Sequence, residues 1–275
     1  MNLIHISDFN SPELAPYTRL TEAQLLNRLH PEEGLFICES MKVIRVALQH
    51  GMQPVSFLCE EKFVHTQVEP LGCEVPVYTA SREVLKQLTG YELSRGVLCA
   101  MRRPVLPSAP ELLSSLRSTS STLRVSVIDS VVNSENTGAI FRAAAALGMD
   151  AVLLTQNCSD PLYRRAARVS MGTVFQIPWV RLRLDQSDGK EVIRLLQAQE
   201  YKTVAMALTD DSVGVDSDAI RANDRLAVLL GTEGTGLPKE VIELSDYRVM
   251  IPMYRGVDSL NVAAASAICF WELMK

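Results

Sequence analysis

Three polar clusters in the second half of the chain combine side chains that could bind or activate a substrate. They are Asn136-Thr-Gly138-Ala-Ile-Phe-Arg142, Gly231-Thr-Glu233-Gly-Thr-Gly236 and Ser259-Leu260-Asn261. Amides and hydroxyls orient a substrate, carboxylates and arginines supply charge, and glycines let the backbone approach a ligand closely. Each cluster also has an ordinary explanation: a capped helix with one solvated arginine, a turn before a helix, and a helix capped by serine.

The glycine-rich cluster matches neither of the common phosphate-binding loops. Gly231 and Gly236 have the G-x-x-x-x-G spacing of a P-loop, but Leu237 and Pro238 stand where that loop needs lysine and serine or threonine. A dinucleotide-binding fingerprint needs a third glycine, and none stands at the required offset. The cluster is therefore interpreted as a glycine-rich loop after a buried strand, with Glu233 as its carboxylate.

The last cluster stands at the start of the final predicted helix, residues 259–275. Ser259 is a favourable N-cap residue, so capping alone accounts for it. Asn261, two residues into the predicted helix, is harder to explain because its short amide competes with the backbone there. Four alanines between positions 263 and 267 leave room for a neighbouring helix to pack closely.

Residue types that serve other kinds of catalysis lie elsewhere in the sequence. All four histidines fall within the first 65 residues, which argues against a histidine-based triad or a metal site in the second half. The six cysteines include no C-x-x-C pair and are interpreted as reduced, mostly buried thiols. We therefore expect no metal cofactor.

The composition is that of a large α/β protein without a membrane span. The chain has 275 residues, 47% of them hydrophobic, and no apolar run near the roughly 18 residues that a span requires. The first 20 residues lack a signal-peptide pattern, so the expected location is cytoplasmic. The net charge of −5 argues mildly against a protein that coats nucleic acid.

One segment is locally basic despite this net charge. Between positions 160 and 185 there are five arginines and two aspartates: Arg164, Arg165, Arg168, Arg181 and Arg183 against Asp160 and Asp185. Such a segment is a candidate phosphate-binding surface. The alternative is a solvated helix face.

The order of predicted elements divides the chain into two domains. Residues 1–106 alternate short helices and strands and form a small α/β unit. Residues 107–122 are rich in proline and serine and are predicted to be a linker. Residues 123–275 alternate apolar strands with helices, which predicts a parallel sheet with helices on both faces. Ligands of such sheets bind outside the carboxyl ends of the strands, where the polar and glycine-rich clusters fall.

Taken together, the clusters resemble the motifs of the SpoU/TrmH branch of the SPOUT methyltransferases. That family has N-x-G-x-x-x-R at a helix start, G-x-E-G-x-G-L after a strand, and I-P-M followed by S-L-N at the last helix. The chain matches these motifs over residues 136–142, 231–237 and 251–261. Residues 1–106 also resemble the family's N-terminal substrate-binding domain, which is similar to a ribosomal-protein RNA-binding fold.

The resemblance implies an RNA 2′-O-ribose methyltransferase with S-adenosylmethionine as methyl donor, a homodimer and a C-terminal trefoil knot. Donor binding is implied for four residues: Gly231, Ile251, Met253 and Leu260. Catalysis is implied for five: Asn136, Arg142, Glu233, Ser259 and Asn261. With an RNA substrate, the basic segment is expected to contact phosphates through Arg164, Arg165 and Arg168.

Several alternatives stay open at this point. The N-terminal domain favours rRNA over tRNA as substrate, and an idle RNA-binding or assembly protein on the same fold is a further alternative. The family proposal makes Arg142 the base, but removing a proton from arginine at pH 7 costs about 8 kcal/mol. We therefore interpret Arg142 first as a cation that stabilises the developing alkoxide and grips the target phosphate. Arg255 stands where the family often has glycine, and could serve donor or substrate.

Overall fold

The computed structural model of the protein describes residues 1–6, 8, 10–27, 29–89, 96–183, 188–232 and 234–275. These residues form two compact units. The first contains Met1–Val105 and Leu162–Gln176, and the second contains Leu106–Pro161 and Ile177–Lys275. Each unit is built around its own sheet. In the described part of the chain, no helix is long and apolar enough to span a bilayer.

The first unit has a mixed five-stranded sheet in the order β1-β4-β3-β5-β2. Its strands are β1 (Asn2–His5), β2 (Leu35–Glu39), β3 (Pro54–Glu60), β4 (Pro76–Ala80) and β5 (Val97–Arg102). The pairs of β4 with β1 and β3 are parallel, whereas β5 runs antiparallel to β3 and β2. Leu58, Leu85 and Leu98 lie in its core.

Short helices cover this sheet. They are α1 (Ala15–Thr18), α2 (Glu22–Leu26), α3 (Met41–Gln49), α4 (Arg82–Thr89) and α7 (Arg164–Val169). Helix α7 comes from the later segment of the chain and packs against β2. The first unit is therefore completed by residues that lie about sixty positions beyond its main segment.

The second unit has a fully parallel sheet in the order β10-β12-β9-β11-β6-β7-β8. Its strands are β6 (Leu123–Ile128), β7 (Ala151–Leu154), β8 (Trp179–Arg181), β9 (Lys202–Met206), β10 (Val213–Gly214), β11 (Arg225–Leu230) and β12 (Tyr247–Met250). Because all these strands run the same way, their carboxyl ends share one edge of the sheet.

Helices flank the parallel sheet and supply much of the core. They are α5 (Ala109–Thr119), α6 (Ser134–Ala146), α8 (Gly189–Ala198), α9 (Asp218–Arg221), α10 (Lys239–Leu244) and α11 (Val262–Leu273). Helices α6 and α11 pack against each other. The predicted α/β class with a parallel sheet is confirmed, while the trefoil knot stays a prediction.

The segment 107–122 is not the linker that its composition predicted. Ser108 caps α5 by accepting a hydrogen bond from the backbone of Glu111, whose side chain bonds back to Ser108. Leu112 and Leu113 are buried in the core of the second unit. Proline is tolerated in a first helical turn and serine at a cap, so a residue count that suggests a linker also fits this helix.

A buried arginine organises the amino-terminal edge of the parallel sheet. Arg124, only 7% exposed, donates to four backbone carbonyls. These belong to Leu273 (3.3 Å), Leu123 (3.1 Å), Asp224 (2.8 Å) and Arg221 (3.2 Å). The side chain thus ties the last turn of α11 to β6 and to the segment between α9 and β11.

Candidate active site

Asn261, not Ser259, caps the last helix. Its side-chain oxygen accepts hydrogen bonds from the backbone N–H groups of Ala263 at 3.0 Å and Ala264 at 3.4 Å. The predicted cap, Ser259, lies two residues earlier and is exposed. Serine and asparagine are about equally good caps, so the sequence could not rank them. The capping role removes the difficulty that Asn261 presented as a helix-interior residue.

The same asparagine reaches the first polar cluster. Its Nδ2 donates to Oδ1 of Asn136 at 3.1 Å. Asn136 is 92% buried within α6, whose N-cap is Asn133 and not Asn136 as predicted. The packing of α6 against α11 therefore joins two predicted site residues that are 125 positions apart.

The glycine-rich loop contains two kinds of glycine. A Cβ on Gly231 would lie 2.3 Å from the carbonyl carbon of Gly236, so Gly231 is required by the loop's own packing. Around Gly234 and Gly236 a Cβ would meet nothing within 4 Å, which leaves room beside this backbone. Thr232 and Gly236 close the loop through two backbone hydrogen bonds. Glu233, predicted to be catalytic, lies outside the described residues.

A cavity of about 410 Å³ opens at the carboxyl edge of the parallel sheet. Segments that follow β9, β11 and β12 line it, together with the approach to α11. Five of the predicted site residues are among the lining: Gly231, Ile251, Met253, Ser259 and Leu260. Most of the remaining wall is apolar or backbone, so the cavity suits a flat ligand with few charges.

The sequence analysis missed the contribution of β9 to this cavity. Met206, Ala207 and Leu208 line it, and Leu208 is 65% exposed at its rim. These residues carry no motif. The available signal was positional, because they follow a predicted strand of a parallel sheet, whose carboxyl ends share one edge.

Arg142 lies exposed on α6, one and a half turns beyond Asn136. Within the described part of the chain it makes no hydrogen bond or ion pair, and it does not line the cavity. The structure therefore leaves its guanidinium available to a ligand from outside the protein.

The predicted RNA-contacting arginines belong to the first unit. Arg168 and Arg164 pair with the buried carboxylate of Glu39, at 3.3 Å and 3.8 Å. They still expose 39% and 35% of their side chains. Arg165 is exposed on the same helix.

Arg181, which we included in the same basic segment, is not available to phosphate. Its guanidinium donates to the carbonyls of Thr155, Gln156 and Cys158 at 3.0–3.2 Å. It also pairs with Asp160 at 3.6 Å. Arg181 therefore holds the loop after β7, and the candidate phosphate-binding surface is smaller than the residue count suggested.

The cysteines of the second unit are inert. Burial raises the pKa of the Cys269 thiol to about 12. Burial likewise raises the pKa of Cys158. Neither side chain is a thiolate at neutral pH, so neither serves as a nucleophile. Among the described residues, no group of three or more histidine, cysteine or acidic side chains could hold a metal ion.

Comparisons with known proteins point to one family. The sequence model of the SpoU rRNA Methylase family matches residues 124–271. A Mycobacterium tuberculosis protein described as an uncharacterized tRNA/rRNA methyltransferase is 34% identical over 269 residues, covering 97% of this chain and 90% of the relative. The 23S rRNA (guanosine-2'-O-)-methyltransferase RlmB of Escherichia coli is 28% identical over 204 residues, covering 73% of this chain and 79% of the relative.

A solved structure has the same fold over nearly the whole chain. The AdoMet-bound rRNA methyltransferase from Sinorhizobium meliloti superimposes with a TM-score of 0.78 at 23% identity. The match covers 98% of this chain and 97% of that chain. The likeness agrees with the two-unit α/β architecture described above.

Proposed function

Because the chain belongs to the SpoU rRNA methylase family, we propose that it transfers a methyl group from S-adenosylmethionine to a ribose 2′-hydroxyl of rRNA. The observation that carries this proposal is the cavity at the carboxyl edge of the parallel sheet. The second and third motifs converge on it, although they are separated by other elements in the sequence. Ligands of parallel α/β sheets bind at this edge.

The residues of the cavity fit S-adenosylmethionine. Its volume of about 410 Å³ lies within the usual range for sites that bury a ligand of this size. Ile251, Met253 and Leu260 offer apolar surface, and the open backbone beside Gly234 and Gly236 offers hydrogen-bonding groups close to a flat ring. We assign donor binding to Ile251, Met253, Leu260 and the loop that Gly231 allows to close. When bound, the donor supplies a methyl carbon made electrophilic by its sulfonium.

The protein's own residues must orient the ribose and handle the charge that develops on its 2′-oxygen. The exposed guanidinium of Arg142 suits a phosphate grip and stabilisation of that oxygen. A role as the literal base is a secondary assignment. The Asn136–Asn261 hydrogen bond fixes the starts of α6 and α11 relative to each other, which positions Ser259 beside the cavity. We retain Glu233 as a fifth member of the catalytic set.

RNA contact is proposed for the arginines of α7. Arg165 is exposed, and Arg164 and Arg168 keep about a third of their side chains exposed while paired with Glu39. Arginine suits phosphate because its planar fork donates two parallel hydrogen bonds. A chain that acts on rRNA works in the cytoplasm, and this location is part of the proposal.

The decisive experiment is transfer of a labelled methyl group from S-adenosylmethionine to deproteinised bacterial rRNA and, separately, to bulk tRNA. We expect label in rRNA at a position that resists alkaline hydrolysis, because a 2′-O-methyl group blocks strand cleavage there. Label in tRNA alone would support the tRNA alternative, which the description of the Mycobacterium tuberculosis relative includes. Absence of transfer to either RNA would defeat the enzyme proposal.

We also propose that the chain forms a homodimer through α11. One face of this helix is exposed and apolar, with Ile268 37%, Trp271 57% and Met274 42% exposed. Their spacing of three residues puts them on one side of the helix. Exposed large apolar side chains at this spacing are typical of a subunit contact.

The subunit contact can be tested by mass measurement. Trp271→Glu places a charge in the proposed interface, and we expect a monomer in light scattering coupled to size-exclusion chromatography. Lys275→Ala, which removes only the lysine that lies 5.7 Å from the Trp271 ring, is the matched control. A wild-type protein that is already monomeric would contradict the proposal.

A further inference from the structure

The loop before α11 contains a strained turn. The backbone N–H of Val257 donates to the carbonyl of Tyr254 at 3.2 Å. Both residues between them have positive φ, 60° at Arg255 and 70° at Gly256. Glycine adopts this conformation freely, but an arginine is disfavoured in it because its Cβ crowds the backbone. Strain of this kind persists at functional positions more often than elsewhere.

The turn stands at the rim of the cavity and not within it. Met253 before the turn and Asp258 after it both line the cavity, whereas none of the four turn residues does. The side chain of Arg255 therefore faces away from the proposed donor site. A substrate that meets the methyl group must come to this rim from outside.

The side chains of the turn suit an unpaired nucleotide. Tyr254 is 84% exposed, a large fraction for an aromatic residue. Arg255 is exposed beside it and, among the described residues, has no hydrogen bond or ion pair. Proteins that hold single-stranded nucleic acid combine aromatic rings, on which bases stack, with cations that contact the backbone. Asp258, the carboxylate nearest in sequence, lies on the cavity side and keeps an anion away from the donor site and on the outer face.

We propose that the turn Tyr254–Val257 is a nucleotide-binding element, in which Tyr254 stacks on a base next to the methylated ribose and Arg255 contacts a neighbouring phosphate. The inference rests on the proposed function insofar as it takes RNA as the substrate. It assigns a role to the one arginine that the family motif does not explain.

Binding to a fluorescein-labelled single-stranded RNA of mixed sequence, followed by fluorescence anisotropy, tests the proposal without requiring turnover. Tyr254→Ala is expected to weaken binding about tenfold, because stacking on one aromatic ring is lost. Tyr254→Phe keeps the ring and should bind within about twofold of the wild type. Arg255→Gly should weaken binding several-fold and lower the salt dependence by about one counterion. It should also raise the thermal midpoint, because glycine relaxes the turn.

Two controls separate this proposal from its neighbours. Arg194→Ala removes an exposed arginine of α8, and it should leave RNA affinity unchanged. Calorimetric titration with S-adenosylmethionine should give the same affinity in the wild type and in both turn variants. Lost donor affinity would assign Arg255 to the donor, and dissociation of the dimer would place the turn in the subunit contact. Either result overturns the proposal.

The outcomes for the turn and for the proposed function are also distinguishable. A wild type that binds RNA but transfers no methyl group defeats the function and leaves the turn testable by anisotropy. An active enzyme whose RNA affinity is unchanged by Tyr254→Ala and Arg255→Gly defeats the turn alone.

Discussion

The two edges of the parallel sheet hold arginines in opposite states. At the amino edge, Arg124 is buried and donates to four carbonyls. Near the carboxyl edge, Arg142 and Arg255 are exposed and unpaired among the described residues. A buried arginine with every donor used stabilises the fold, since its removal strands acceptors inside the protein. An exposed one with free donors contributes little to stability and is available for chemistry. The comparison teaches that burial and pairing, rather than residue type, separate the two roles.

The largest effect is expected at the amino edge. Arg124→Ala should lower the free energy of unfolding by about 4 kcal/mol, because it leaves four carbonyls without their donor in a buried site. Urea denaturation followed by circular dichroism measures this change. Arg117→Ala, at a largely exposed arginine of α5, is the control and should lose less than about 1 kcal/mol. A loss below about 1 kcal/mol for Arg124→Ala would remove the distinction between the edges.

The second effect should appear in rate and not in stability. Arg142→Ala should slow methyl transfer about 100-fold, since a charge that stabilises the reacting oxygen is lost. The free energy of unfolding should stay within about 0.5 kcal/mol of the wild type. Single-turnover transfer to rRNA measures the rate. Arg142→Lys sharpens the test: near-full activity would mean that a point charge suffices and a planar fork is not needed.

Asn261 serves both stability and the site, so its two variants should separate these roles. Asn261→Ala removes the cap and should lower the free energy of unfolding by about 1 kcal/mol as well as slow transfer. Asn261→Asp keeps a good cap but replaces the Nδ2 donor to Asn136, so the loss should appear mainly in the rate. Equal rates for Asn261→Asp and the wild type would show that the Asn136–Asn261 bond has no part in transfer.

The smallest effect concerns Asp246, a charge at the amino edge. Burial acts to raise its pKa, but hydrogen bonds from Thr203 and Lys202 outweigh it, and the pKa is lowered overall. A lowered folded pKa stabilises the protein above the unfolded value, near pH 4, and this stabilisation is lost as the pH falls through the folded pKa. Asp246→Asn should therefore lower the urea midpoint slightly at pH 7, and the difference from the wild type should vanish near pH 2.

The sequence predicted the parallel sheet well because its signal is local. Apolar strands such as residues 225–230 alternate with helices, and each motif follows a strand. It failed where two residues compete for one role. Asn133 and Asn136, or Ser259 and Asn261, are equally good caps by type, and only packing decides between them.

Tertiary pairing was the other limit on prediction. The sequence does not show that Glu39 lies beside Arg164 and Arg168, more than 120 positions later, or that Arg181 donates to the loop after β7. Leu208 was missed for a related reason, because its place at the cavity follows from strand order. Roles that depend on neighbours distant in the sequence have no local pattern to predict them.

The division of the first unit between two stretches of chain has a consequence for synthesis. Residues 1–105 leave the ribosome first, yet the helix that pairs with their buried Glu39 begins at Arg164. Until that helix emerges, the nascent unit holds a carboxylate without its arginines, a state that is unfavourable in a low-dielectric interior. We expect the first unit to finish folding only after about two thirds of the chain has been made. A fragment ending at residue 105 should be unstable on its own.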